Sequence, residues 1–243
     1  TLPAILQKAP ERAILQNESV ENEAGVHKIS IRGPLIQGSW FTDYSDIASA
    51  LAAGVGDPAV PAILLDIDSP GGTVSAELVE LAAQIREARK AKKVVAVAND
   101  YAFSAAYWIA SQASEISVSS KMSEVGSIGA IATHRDWSVR NEKLGLKITE
   151  VTSGERKNEF SSNKPLSESA RSQLKVMVDL ARDEFIDDVV AGRPSLSPST
   201  LRGFEGGTFA AESAISAGLA DRIESVSEAV QRLASASPLS GIQ

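Results

Sequence analysis

The chain has 243 residues, of which 43% are hydrophobic, and it carries a net charge of −7, two histidines and no cysteine. That apolar content suffices for a packed core and is too high for intrinsic disorder, while the acidic balance argues against a broad basic surface for nucleic acid. The lack of cysteine excludes disulfides, thiol catalysis and cysteine-ligated zinc, and no apolar run approaches the ~18 residues of a membrane-spanning helix.

In chain order, residues 1–24 are polar and mixed, and read as an N-terminal arm or extension. Residues 26–35 alternate apolar and polar side chains, as a half-buried strand does, and stop at Gly33-Pro34. Tyr44, Ile47, Ala48 and Leu51 recur at helical spacing over 43–54. An apolar strand over 62–67 leads into Ser69-Pro70-Gly71-Gly72, and a helix over 74–92 follows with Leu78, Leu81, Ala82, Ile85 and Ala88 in one stripe. A strand over 93–98, an alanine-rich helix opening after Ser104 and a strand over 115–118 come next. The alternation continues through 125–133, a helix over 136–144 and a strand over 146–152. A long amphipathic helix over 166–192 places Leu174, Val178, Ala181, Phe185 and Val189 on its apolar face and is broken at Ser195-Leu196-Ser197-Pro198. Residues 208–230 hold a helix ended by Gly218 and a short strand, and 233–243 read as a flexible tail. Repeated strand-then-helix units imply an α/β fold, with helices packed on a largely parallel sheet in one main domain.

The chemistry-bearing residues fall at strand ends. Ser104 stands where a strand turns into a helix, a place where a developing anion is favoured, although a serine there is more often a plain N-cap. Gly71 and Gly72 follow another strand, and glycine backbone permits N–H groups to be aimed at a substrate carbonyl; the alternative is an ordinary turn into the next helix. Lys157, in Ser153-Gly154-Glu155-Arg156-Lys157, follows the strand expected over 146–152. A lysine ammonium titrates near ~10.4 in water and serves as a base only when desolvation or nearby positive charge, here Arg156 or Lys164, depresses it. Otherwise it is a solvated surface lysine. Asp66, Asp68 and Asp100 cluster at strand ends, more as turn formers and helix-end charges than as metal ligands. His27 and His134 are far apart and offer no triad. No phosphate loop is present, and Gly126-Ser127-Ile128-Gly129 is too short for a dinucleotide fingerprint.

The strings LDIDSPGG (65–72), ANDYAFSAAY (98–107), VGSIGA (125–130), TSGERK (152–157) and GLADRI (218–223) together resemble the signal peptide peptidase A family of serine–lysine peptidases. The likeness is greater to its lambda-type phage capsid-assembly (prohead) branch, and it covers roughly residues 25 to 230. The resemblance implies a Clp-protease/crotonase-like ββα spiral over 25–232, with Ser104 as nucleophile, Lys157 as general base, Gly71 and Gly72 at the oxyanion site and Ser127 orienting the lysine. Phe103 stands where that branch commonly has alanine. The resemblance further implies an extended peptide or protein substrate such as scaffold or portal protein. It implies a homo-oligomeric ring, no cofactor or metal, and a cytoplasmic or prohead location, while the acidic balance and the lack of a long apolar run argue against nucleic acid and a membrane span. A soluble bacterial signal-peptide peptidase is the alternative within the class. A crotonase-type acyl-CoA enzyme and an inactive structural homologue are the alternatives outside it.

Overall fold

A computed structural model describes residues 20–38 and 42–236. Most of the arm expected over 1–24 and the end of the tail expected over 233–243 lie outside the described residues. The chain separates into two compact units: one takes the described residues through Ile128 and again from Phe185 onward, the other Gly129–Glu184.

The first unit is built on a sheet of strands β1 (Val20–Glu23), β2 (Val26–Arg32), β3 (Ala62–Ser69), β4 (Lys93–Phe103), β5 (Glu115–Val118), β6 (Glu124–Gly126), β7 (Thr208–Ala210) and β8 (Arg222–Ile223). The path runs β1-β2-β3-β4-β5-β8, and every pairing after the β1–β2 hairpin is parallel. Parallel strands covered on both faces read as unbroken apolar runs, and Ala62–Ile67 is buried throughout. One face carries Ile63, Leu65, Ile67, Ala96 and Ala98 against helices α1 (Tyr44–Gly56), α2 (Ala76–Ala91) and α3 (Ala105–Ser111). The other carries Val26, Leu64, Val95 and Val97 against Ala229, Val230 and Leu233 of the C-terminal helix, Val226–Ser235.

Strand β4 runs five residues past its expected end at 98. Asn99 and Asp100 look like turn residues, but a second pairing carries the chain on. Val95–Ala98 pair with β5, and Tyr101–Phe103 pair in parallel with β6, which pairs antiparallel with β7. The α2 stripe is as expected: Leu78, Leu81, Ala82, Ile85 and Ala88 are its buried residues, and Ser75 caps the helix through Leu78 N. His27 is buried. Its Nε2 lies 2.9 Å from the Ala50 carbonyl and its Nδ1 3.1 Å from Asn22 Oδ1, tying β2 to α1.

The second unit contains helix α4 (Ser138–Lys143) and the first two-thirds of helix α5 (Glu168–Gly192), whose residues from Phe185 belong to the first unit. The strand expected over 146–152 does not form. Leu146, Ile148 and Val151 are exposed, and no strand among the described residues pairs with them, so the pattern lacks the ladder a strand needs. Helices α6 (Pro198–Gly203) and α7 (Ala211–Ser216) complete the described helices before the C-terminal one. No helix among the described residues is long and apolar enough to cross a membrane.

The end of α5 presses on the end of α3: a Cβ on Gly192 would stand 2.0 Å from the Ser111 carbonyl oxygen. Gly192→Ala is therefore expected to destabilise the protein by about 1–3 kcal/mol through overpacking, measured as a shift of the urea midpoint against Gly203→Ala, whose Cβ meets nothing.

Candidate active site

Ser104 occupies the first position after β4, with φ 51° and ψ −124°. A non-glycine residue held there costs of the order of 1–3 kcal/mol and persists only when its surroundings over-determine it. Those surroundings are visible. The Ser104 N–H donates to the Gly126 carbonyl (2.9 Å), and the Ser104 carbonyl accepts from Trp108 N (2.9 Å), one helical turn on. The side chain makes no capping hydrogen bond, so the ordinary reason for a serine at a helix start does not apply. The residue is half-buried, and its hydroxyl is uncommitted among the described residues.

Gly71 lies against this turn. A Cβ on it would stand 2.6 Å from the Phe103 carbonyl oxygen, 2.7 Å from Ser104 Cβ and 2.9 Å from Ala105 N, and its φ is +94°. Only glycine permits both the conformation and the approach. The two glycines do different work. Gly71 N–H donates to Ser69 Oγ (3.2 Å), while Ser69 Oγ donates to the Gly33 carbonyl (2.7 Å). Gly72 bridges Leu35 in parallel, flanked by Leu35 N to Gly71 O and Thr73 N to Leu35 O, both 2.9 Å. Gly72 N–H has no acceptor among the described residues, and the residue is exposed, so it is the available donor of the pair. The Ala105 N–H, beside Gly71 at the helix start, is a second backbone donor at this turn; the signal for it is its place directly after Ser104.

Ser127 follows Gly126, whose carbonyl anchors Ser104, and it too has positive φ, 56°. Its N–H donates to the Gly207 carbonyl (2.8 Å) next to β7. Ser104, Gly71, Gly72 and Ser127 are thus gathered by β3, β4 and β6 at one end of the sheet. Tyr101 and Phe103 stack beside them, with ring centroids 5.2 Å apart.

Lys157 belongs to the second unit, and the geometry just given is that of the first alone. It is exposed, in a turn closed by its own N–H to the Gly154 carbonyl (3.2 Å). Its neighbour Arg156 is compensated by Glu159 (3.1 Å), and Lys164 donates to Asn158 Oδ1 (2.8 Å).

Of the acidic residues, Asp66 is buried and ion-paired with Arg32, and among the described residues its Oδ1 has no partner; Asp68 Oδ1 is likewise buried and has none among them. Burial pushes the Asp68 carboxyl above its ordinary value, and Asp100 and Asp66 push the same way against Arg32.

A model of peptidase family S49 matches residues 86–240. Over 211 residues the chain is 34% identical to the head-tail preconnector protein GP5 of Enterobacteria phage P21, covering 87% of this chain and 41% of that protein. Over 192 residues it is 34% identical to the capsid assembly protease C of Escherichia phage lambda, covering 79% and 43%. The chain therefore spans about two-fifths of the length of these relatives. An enoyl-CoA hydratase structure from Shewanella pealeana superposes with a TM-score of 0.56 at 14% identity over 94% of this chain and 77% of that one, a likeness of fold alone that places the chain in the Clp-protease/crotonase class.

Two outcomes check this geometry. Gly71→Ala is expected to destabilise the Ser104 turn, because the methyl would stand 2.7 Å from Ser104 Cβ at a positive φ; the melting temperature should fall while circular dichroism still reports a folded sheet. Asp68→Asn tests the electrostatics. A carboxyl with a raised folded-state pKa contributes stability only at acid pH and loses it as pH rises, so at pH 7 its ionised form is a cost. Asp68→Asn should therefore melt above the parent at pH 7, with the gain shrinking as the pH is lowered towards 4.

Proposed function

This chain belongs to peptidase family S49, and on that footing we propose that it is a serine endopeptidase in which Ser104 is the nucleophile and Lys157 the general base. The observation that carries the reading is Ser104 itself: a strained backbone, an uncommitted hydroxyl, and a glycine pressed against its Cβ. The Ser104 hydroxyl attacks the peptide carbonyl as the lysine amine takes its proton. The carbonyl oxygen becomes an oxyanion, for which Gly72 N–H and Ala105 N–H are the donors at hand. One such donor is worth ~2.7–4 kcal/mol in the transition state. The protonated amine then protonates the leaving nitrogen, and the same amine, neutral again, activates the water that hydrolyses the acyl-enzyme. Ser127 orients the amine. Asp66 and Asp68 take no part in this chemistry.

Relatives named for head-tail preconnection and capsid assembly support the phage branch, with scaffold or portal protein presented as an extended chain. The second unit supports assembly of several copies. Of residues 129–184 only Ala170 is fully buried, while Ile131 and Val151 are 89% and 94% exposed and Val176, Met177 and Leu180 stand open on α5. A segment of that size with so little core requires covering apolar surface from elsewhere. The reading is a homo-oligomeric ring in which adjacent copies contribute Ser104 and Lys157 to one site.

Ser104→Ala and Lys157→Ala should each abolish peptide hydrolysis with little change in melting. Mixing the two inactive variants under verified subunit exchange should restore a fraction of the activity. Activity retained by Lys157→Ala would remove the lysine from the mechanism, and no recovery on mixing would place both residues within one chain.

A further inference from the structure

The strained turn at Ser104 is held from the front by Gly126 and Gly71, and from behind by a buried polar group that no step of the proposed chemistry uses. Trp108 is completely buried, and its N–H holds the Ser104 carbonyl. Its indole is fixed on two sides. The ring stacks on Phe185 of α5, with centroids 4.5 Å apart and planes 4° from parallel. The indole Nε1–H donates to Asp188 Oδ2 at 2.7 Å. The other carboxylate oxygen of Asp188, Oδ1, accepts from Arg86 Nη1 of α2 at 2.9 Å. Arg86 also donates to Gln112 Oε1, and Gln112 Nε2 returns to the Asp188 backbone carbonyl at 2.9 Å. The Asp188 carboxylate thus joins α2 and α3 from its place on α5.

Stability alone does not call for this arrangement. The Arg86–Asp188 pair is only partly buried, and ion pairs and indole N–H groups taken out of water are commonly replaced by apolar groups of similar volume at little loss. What an apolar contact cannot do is fix the angle of a ring as hydrogen bonds to both carboxylate oxygens do. The ring whose angle is fixed here belongs to the residue whose N–H holds the Ser104 carbonyl. We propose that Asp188 is a positioning residue for Ser104, acting through Trp108: it locks the indole, the indole locks the first turn of α3, and that turn keeps the serine in its left-handed backbone with the hydroxyl presented. The inference rests on the reading of Ser104 as the nucleophile.

The test is the second-order rate of fluorophosphonate labelling at Ser104 in the full chain, measured well below each variant's melting temperature, alongside kcat and KM for a peptide substrate. Asp188→Asn removes the charge, Trp108→Phe removes only the indole N–H, and Asp188→Glu is the conservative variant. Glu224→Gln is the control: it weakens a half-buried pair with Arg232 (2.6 Å) on the opposite face of the sheet. Because a misplacement of about 1 Å can cost about a hundredfold in rate, Asp188→Asn and Trp108→Phe should each slow labelling by about ten- to a hundredfold, in kcat more than in KM. The double variant should be little slower than either single one, and Asp188→Glu should recover part of the rate. Glu224→Gln should lower the melting temperature and leave labelling unchanged. Should Asp188→Asn not fold, Trp108→Phe, which keeps most of the packing, carries the same expectation. A lowered melting temperature with parental labelling in both variants would overturn the proposal and make the network structural. Equal labelling of the parent and Ser104→Ala would instead overturn the nucleophile reading, and this inference with it.

Discussion

The first unit is organised around one backbone conformation. Ser104 sits at φ 51°, where an L-residue does not settle of its own accord. Three described neighbours hold it there: a carbonyl from β6 in front, a glycine without a side chain below and the first turn of α3 behind. The same constraint explains why two further residues depart from ordinary geometry nearby. Gly126 has φ +122° and Ser127 56°, because the chain must turn sharply after offering its carbonyl to Ser104. Strain at one residue has been spread over a small neighbourhood, and each member is satisfied by a backbone hydrogen bond.

The sheet makes that neighbourhood possible by forking. A strand of ordinary length would end at Ala98 with β5 beside it. Strand β4 instead changes partner on one edge, from β5 to β6, and so carries Phe103 and Ser104 beyond the main sheet into the region framed by β6 and β7. The register shift between Ile67 and Ser69 lets β3 follow and brings Gly71 to the same place. A turn shaped by backbone contacts, as that at Ser104 is, needs this kind of control over where strands end.

Much of the first unit was legible in the sequence because its central strands read as unbroken apolar runs and its helices as apolar stripes. The α2 stripe follows from spacing alone, since it buries one consistent face, and the strand at 115–118 is short and buried over Ile116–Val118. Spacing misled where the partner is remote. Asn99 and Asp100 have the composition of a turn, yet β6 recruits the residues after them into a strand. Leu146, Ile148 and Val151 have the composition of a strand, yet nothing among the described residues pairs with them. Ser104, Gly71 and Ser127 were legible as motif residues, but that Gly71 serves by close approach while Gly72 holds the spare N–H emerges only from the geometry. Asp188 left no trace in the sequence. It lies in a helix among other acidic residues, and only the fold brings it to Trp108, 80 positions away.

The support around Ser104 also has an order in time. The N-terminal strands, helix α2 and Ser104 itself are all made before residue 105, but Gly207, which holds Ser127, and Phe209, which pairs with Val125, are about a hundred residues further on. Phe185 and Asp188 also come late. A ribosome delivers the chain from its N-terminus, so the serine emerges long before the pieces that shape it. The nascent chain therefore carries an unformed site while about a hundred further residues are added, and the turn acquires its contacts to β6 and β7 only once β7 has been made and has docked.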